Sequence, residues 1–521
     1  MSYPARLQLT TDASGNTSLV VAGGGKISIA GSANTICMLG DSMTALTNVE
    51  QTCTISQTAG VATVHAVAHL IADAQTIKVF GADQSAYNGF KIATWIDADN
   101  FSFTVDAATV SPATSATANL RFARYQRLTD VGFFTWANGY LGGRMTLLNN
   151  GGVGGEKTAD MILRLQTDVI AYSPSYCTVL GGINDITGAV AEATIEANLQ
   201  TIYTTLHNAG IKVIALTILP LAASHANYAT ANPIIVRINT WIRNFINSVP
   251  GIYLVDAFNV VVDPTSTGSA PLANYLKTDY IHPAAIAAQA IGYEFYRVMN
   301  AVMPPWNMLV ASAADNKFSN ATNKNILDTA AGAGLFLGTG GTASGTGMTG
   351  TTVAATWTCT NEIGTATAVA TTEARTVVND GDAIGWNQVV TISSAASGNV
   401  VSIKSADFKA NLATGDRFFA EGHLQCSGMS AVTEVQFYAA IAANSGAVTV
   451  YCSALDKTDT TFSQNNISLQ LRTPVMTMPD PTKLGTGSPG TIANVKLYAW
   501  IKFGGAGAAV MKLGRCSVRK V

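Results

Sequence analysis

Charge is scarce in this sequence. Of 521 residues only 12% are Asp, Glu, Lys or Arg, and 30 Lys plus Arg against 32 Asp plus Glu leave a net charge of -2. That is about half the usual globular share of roughly 25%. A nucleic-acid-binding chain needs a basic footprint, and none is present, so no nucleic-acid partner is expected. Long apolar runs are also missing: the longest, Val213 to Ala223, falls well short of the roughly 20 residues a membrane span needs. The first residues, Met1 to Val20, carry Thr, Asp, Ser and Asn where a secretory signal has a basic start and an apolar stretch, so no signal peptide is expected. Seven cysteines cannot all pair within one chain, and none form C-x-x-C pairs. Neither a disulfide framework nor a zinc site is expected. His65 and His69 stand four apart in a strand-like stretch without a third ligand, so no metal site is expected.

What is abundant is glycine, 47 residues, among long stretches of Thr, Ala, Ser and Val. At roughly 150 residues per domain, the length predicts about three or four folding units. From Thr35 to Asn48, and again from about Gln126 to Met303, short apolar runs alternate with segments of helical period. The runs are Ile36 to Leu39, Met145 to Leu148, Cys177 to Leu180, Val213 to Leu216 and Tyr253 to Val255. Between them Ile195, Leu199, Ile202 and Leu206, then Ile234, Ile238, Trp241 and Phe245, make helical stripes. This order predicts a three-layer α/β/α domain of flavodoxin-like type over 35–48 plus 125–303, with the helical pattern resuming at Arg127 to Tyr140. The intervening 49–124 has alternating apolar residues and turn pairs such as Asn88-Gly89 and Asp99-Asn100, which predicts a small inserted β-domain. Residues 1–34 read as a β lead-in, the Gly/Thr/Ala-rich 304–374 as a linker, and 375–521 as a C-terminal β-sandwich of jelly-roll type, carbohydrate-binding or trimerising.

Four segments carry chemistry. Gly40-Asp41-Ser42 follows the first strand, placing a hydroxyl at a sheet end where open α/β folds hold ligands; a helix N-cap is the competing role for that serine. Asn149 to Thr158 reads NNGGVGGEKT, a Gly-rich mouth to the next helix without the Gly-Lys-Ser/Thr of a phosphate loop, so an anion hole fits better than a nucleotide cradle. Gly182-Ile183-Asn184-Asp185 follows the third strand and offers a side-chain amide. Asp279-Tyr280-Ile281-His282 precedes the last helix, and three residues in a turn let the carboxylate reach the ring and orient it. Asp41 and Asp185 are expected to brace their loops, and Asp256, at a strand end, is a weaker rival to Asp279.

In this order the four segments resemble the SGNH, or GDSL, hydrolase family. The resemblance implies Ser42 as nucleophile, His282 as general base and Asp279 as the group orienting it. It implies an oxyanion hole from the backbone N–H of Ser42, the backbone N–H of Gly155, with Gly154 as the fallback, and the side-chain amide of Asn184. It also implies a serine esterase without cofactor. Tyr87-Asn88-Gly89-Phe90 and Asp99 to Phe103 resemble small β-domains of bacteriophage tail proteins. Because the insertion leaves the sheet shortly beyond Ser42, Tyr87, Trp95 and Phe101 are candidates for a substrate rim, with the core of a small β-domain as their competing role, and Trp386 and Tyr451 are candidates for exposed aromatics of the C-terminal domain. The expectation is an O-acetylesterase acting on an acetylated bacterial surface polysaccharide, carried on a virion tail fibre or tailspike as a homo-oligomer, with a trimer the expected state. The alternatives are a secreted bacterial carbohydrate esterase with a binding module, or a receptor-binding adhesin with a vestigial hydrolase domain.

Overall fold

The computed structural model describes residues 7–11, 17–21, 34–71, 73–115, 120–303, 325–327, 333–375, 385–443, 449–456, 466–481 and 491–520. At its centre five parallel strands lie in the order Met145–Gly152, Asn34–Gly40, Tyr176–Leu180, Lys212–Leu216, Ile252–Val255. The strand that comes first in the chain lies between the second and third, so the chain reverses direction across the sheet beside Gly40. Crevices at the carboxyl ends of such strands are where open α/β sheets hold ligands. Every residue of Tyr176–Leu180 is buried, as a strand covered on both faces requires.

Two helix groups provide the cover. Glu192–Asn208 packs on Tyr228–Ser248, and Phe133–Tyr140 packs on Ala285–Met299. The first stripe sits as its spacing predicts, with Ile195, Leu199, Ile202 and Leu206 all buried. In Tyr228–Ser248 the buried line is Ile235, Ile238, Ile242 and Ile246, largely one residue on from the stripe read in the sequence. Ile234, Trp241 and Phe245 pack at its margin, half-buried against the same core, because the apolar arc of this helix is wider than one stripe. The helical pattern expected over Arg127 to Tyr140 is corrected: Arg121–Thr129 is a strand and the helix starts at Phe133. Backbone pairing with three neighbouring strands overrides a spacing that also fits a helix.

Between Ser42 and Phe133 the chain leaves along Asn48–Thr52 and returns along Arg121–Thr129, the two paired antiparallel. Four strands, Thr54–Thr58, Val61–His65, Asn100–Thr104 and Thr94–Trp95, form one small sheet. Thr76–Phe80 and Gly89–Ile92 extend the sheet of the returning strand. Arg121–Thr129 also pairs in parallel with Thr449–Asp456 from the far end of the chain, and Arg127 forms an ion pair with Asp456. Asn48–Thr52, Thr76–Phe80, Gly89–Ile92 and Arg121–Thr129 are thus the edge of a ten-stranded sheet shared with the C-terminal region, a continuity the sequence pattern does not disclose.

The C-terminal region is mostly β. Its ten- and seven-stranded sheets enclose one apolar core that includes Trp357, Val390, Ile403, Phe437, Leu497 and Met511. The expected linker needs correcting, since Thr342–Ser344, Met348–Gly350, Trp357–Ile363 and Thr367–Ala374 are strands of these two sheets. Ala366, Ala368 and Ala370 are 0 to 1% exposed. Small side chains at alternate positions bury a face here without the large residues that advertise a strand. Trp386 is exposed, at 41%; the side chain of Tyr451 lies outside the described residues. At the N-terminus Leu7–Thr11 pairs antiparallel with Thr17–Val21. No helix among the described residues is long and apolar enough to cross a membrane.

Candidate active site

The strand Asn34–Gly40 stops where a side chain is excluded: a Cβ on Gly40 would fall 2.1 Å from Thr44 Oγ1 and 2.4 Å from the carbonyl of Leu180. Asp41 then caps the helical turn Ser42–Ala45, its carboxylate accepting the Met43 N–H at 3.0 Å. The cap is therefore Asp41 and the Ser42 hydroxyl is left for other work. Asp41 is 1% exposed. Burial pushes its carboxyl up to about 7, against the Met43 hydrogen bond, with the nearby charge of Asp185 adding to the rise.

Ser42 Oγ lies 2.7 Å from His282 Nε2, and His282 Nδ1 lies 2.9 Å from Asp279 Oδ2. The other oxygen of Asp279 accepts the backbone N–H groups of Ile281 and His282, at 3.1 and 2.9 Å. Burial works to raise this carboxyl, but the hydrogen bonds from His282 and Ile281 outweigh it and hold the group below the ordinary carboxylate range. An ionised Asp279 is the form that fixes Nδ1 as a donor and leaves Nε2 to accept the serine proton.

Gly155 has φ +82°, a left-handed conformation that only glycine adopts at no cost. Neither its N–H nor that of Ser42 is used by a backbone acceptor among the described residues. Asn184 follows directly on the third strand, in the helical turn Ile183–Thr187, and its Nδ2 donates to the Glu156 carbonyl at 2.9 Å. One of the two amide hydrogens remains for a ligand. Ser42, Gly154, Gly155, Asn184 and His282 all line one cavity of about 660 Å³. A nucleophile and the residues of three candidate N–H donors thus share one cavity.

A network of buried and half-buried charge holds this loop. Arg164 donates to Glu156 at 2.6 Å, to Asp168 at 2.8 Å, to the Gly40 carbonyl at 2.9 Å and to the Gly151 carbonyl. Lys78, from the inserted strand Thr76–Phe80, reaches the Asn150 carbonyl at 2.9 Å, Asn149 Oδ1 at 3.2 Å and Asp168 at 3.5 Å. Burial lowers the Lys78 ammonium from its ordinary range, with Asp168 opposing that shift. One guanidinium thus joins the end of the serine strand to the glycine loop, and the insertion closes the network from the other side. Asp185 completes the bracing by accepting Thr158 N–H at 2.9 Å and Thr158 Oγ1 at 2.7 Å.

Other sequence candidates lie elsewhere. Tyr87 and Phe101 are corrected: both are 0% exposed in the core of the inserted strands, and the Tyr87 hydroxyl donates to the Val110 carbonyl at 2.8 Å. Aromatic rings are the largest apolar surface such a small unit can bury, which is why it keeps them inside. Trp95 is half-buried on a strand edge and does not line the cavity. The insertion instead offers the cavity Asn48, Val49, Glu50 and Arg121, and the loop before His282 adds Lys277. Sequence reading passed over all of these, as it did Arg164 and Lys78; a hint for Arg164 was its four-residue offset from Asp168. Asp256 is held by Arg243 through two 2.9 Å bonds and by Thr217 at 3.0 Å. His65 meets Asn100, and His69 meets the Asp97 carbonyl and the Ile71 N–H. No group of three metal-ligating side chains is found among the described residues.

Comparison with known proteins gives one family match: residues 115–290 fit the GDSL-like Lipase/Acylhydrolase family. Among solved structures, an acylhydrolase from Bacteroides fragilis is 22% identical over 33% of this chain and 84% of its own, with a TM-score of 0.28. A carbohydrate esterase family 3 protein from Talaromyces cellulolyticus is 18% identical over 28% of this chain and 66% of its own, TM-score 0.23. A mutant acetyl-xylooligosaccharide esterase from Geobacillus Stearmophilus is 13% identical over 53% of this chain and 98% of its own, TM-score 0.31. No curated protein matches the chain. The family match stops short of Ser42, which the insertion separates from the rest, but it takes in Gly155, Asn184, Asp279 and His282, and it supports the α/β/α domain as one of GDSL-like lipase/acylhydrolase type.

Proposed function

We propose that this chain is a serine esterase that removes O-acetyl groups from a bacterial surface polysaccharide. The observation that carries the esterase chemistry is the relay Ser42–His282–Asp279, at 2.7 and 2.9 Å, opening into the cavity that Gly155 and Asn184 also line. Ser42 Oγ attacks the ester carbonyl while His282 Nε2 takes its proton, and the carbonyl electron pair moves onto oxygen. The N–H groups of Ser42 and Gly155 and the amide of Asn184 receive that oxyanion. Collapse breaks the bond to the sugar oxygen, which leaves with the proton from His282. Water, deprotonated by the same ring, then attacks the acyl-serine, releases acetate and restores Ser42.

Support for a polymer comes from the surroundings of the cavity. Beside the apolar Ala45, Leu46, Val49, Val131 and Ile281, its lining includes Asn48, Glu50, Arg121 and Lys277, polar and charged groups suited to a hydroxylated chain. Two β-rich parts flank the hydrolase domain, and in this reading the C-terminal sheets present glycan, with Trp386 as a stacking face, or join copies into a trimer. A phage tail fibre is the setting we infer, on the resemblance of residues 87–103 to tail modules.

The test is release of acetate from acetylated polysaccharides of several bacteria by the wild-type chain beside Ser42→Ala. Acetate release that depends on Ser42 is expected. Hydrolysis surviving in Ser42→Ala would overturn the mechanism, and hydrolysis of simple esters alone would remove the polysaccharide.

A further inference from the structure

The insertion does more than border the active site: it delivers charge to it. Glu50 stands on the strand leaving the hydrolase domain and Arg121 at the start of the strand that returns, and both line the cavity that holds Ser42 and His282. Their contact is loose, 3.5 Å between Arg121 Nη1 and Glu50 Oε2, where the Arg164–Glu156 and Arg243–Asp256 pairs stand at 2.6 and 2.9 Å. Lys277, the third charged side chain of the lining apart from the catalytic ring, comes from the opposite end of the sequence of the site, five residues before His282. It enters no ion pair among the described residues.

Two cations therefore share the lining of the cleft with one carboxylate. Burial pushes Glu50 up to about 7, with the Arg121 charge and hydrogen bond opposing the rise. Near neutral pH the side chains that line the cavity carry more positive than negative charge, the Asp279 carboxylate standing behind His282 and outside the lining. The excess is local, because the whole chain carries a net charge of -2. A neutral sugar leaves that charge unmatched. A guanidinium fork matches a planar carboxylate through paired hydrogen bonds, and an ammonium adds a point charge.

We infer that the ester-bearing substrate is an acidic glycan, a uronic- or sialic-acid-type chain whose carboxylate is received by Arg121 with Lys277. The inference rests on the esterase reading above and names the substrate class of that same site. It makes Arg121 and Lys277 specificity residues with no part in the bond-breaking steps, and it explains why the strands that carry Glu50 and Arg121 begin and end beside the nucleophile.

A matched pair of probes tests it: methyl glucuronoside and methyl glucoside, which differ by the carboxylate, as competitive inhibitors of phenyl acetate hydrolysis by the full chain. The uronoside is expected to bind at least tenfold more tightly at 20 mM salt, with the advantage shrinking at 500 mM as screening takes hold. Arg121→Gln should lower the ratio of the two inhibition constants about tenfold, and Arg121→Lys should restore part of it; a thermal melt shows that each variant is folded. Equal inhibition by the two glycosides, or a ratio unmoved in Arg121→Gln, overturns the acidic-substrate inference while phenyl acetate hydrolysis keeps the esterase reading. A wild-type chain inert toward phenyl acetate overturns both.

Discussion

His282 Nε2 lies 2.7 Å from Ser42 Oγ although 240 residues separate the two. The contact requires the first sheet strand and the loop before the last helix to end at the same edge, and it survives an insertion that enters the chain six residues after the serine. What the insertion displaces is sequence, not geometry, because its outgoing and returning strands pair with each other.

The two candidate acids separate on this geometry. Asp279 meets the His282 ring at 2.9 Å, whereas Asp256 spends its carboxylate on Arg243, on Thr217 and on the N–H of Asn259. Asp279→Asn is expected to lower kcat for an aryl acetate by about 10⁴-fold, since an amide there favours the wrong ring tautomer. Asp256→Asn should leave kcat within a few-fold and reduce stability instead. Steady-state rates and a thermal melt on both variants check the assignment, and equal losses of activity would refute it.

How much of this was legible in the sequence depends on the range over which each feature acts. The Asp279–His282 contact is decided within one turn, so spacing alone suffices. The five sheet strands contain short apolar runs, fully buried in the central strand Tyr176–Leu180 and half-buried in part toward the edges, and their ends carry the Gly, Ser, Asn and Asp that mark a ligand edge. Lys78 is a different case. In the sequence it stands between Ile77 and Val79 as an ordinary outward residue of a strand, and only the packing of the insertion on the hydrolase domain takes it to 7% exposed beside Asp168. Tyr87 and Phe101 mislead for the converse reason: an aromatic near an active-site segment suits a groove as well as a core, and burial decides. The strands from Thr342 to Ala374 were hidden because Ala and Thr carry little apolar signal even when Ala368 and Ala370 are fully enclosed.

Asn184→Ala should lower kcat by roughly 100- to 1,000-fold, the loss that accompanies one oxyanion donor, with a smaller change in KM. The Asn184 amide also holds the Glu156 carbonyl at 2.9 Å, so the variant frees the loop that carries Gly155. Affinity for a tetrahedral phosphonate should fall in parallel with kcat. A rise in KM alone would make Asn184 a substrate contact instead.

Arg164 is a positioning residue, joining Gly40, Gly151 and Glu156 without reaching the cavity. Arg164→Met removes a partner of two half-buried carboxylates, of which Asp168 keeps Lys78, so the loss falls below the roughly 3 to 5 kcal/mol of a fully buried pair broken from one side. The expected signature is a lower melting temperature with kcat down about 10- to 100-fold and KM little changed, partly rescued in Arg164→Lys. If KM moves and kcat does not, the network does not set the oxyanion loop.

Asp41 supplies the pH dependence. Its carboxyl titrates near 7 in the folded chain against an ordinary 3.8, so between those values the native state holds a proton that the unfolded state has released. Stability contributed by the protonated form is complete below about pH 4 and is lost as pH rises through 7, a change on the order of 4 kcal/mol from this group. Asp41→Asn keeps a side-chain oxygen to accept the Met43 N–H but cannot ionise. The variant should match the wild type at pH 4 and exceed it increasingly toward pH 8, with denaturant midpoints at a series of pH values as the measurement. Curves that stay parallel across the series would mean that Asp41 is ionised throughout and that the fold holds its charge by contacts other than the Met43 cap.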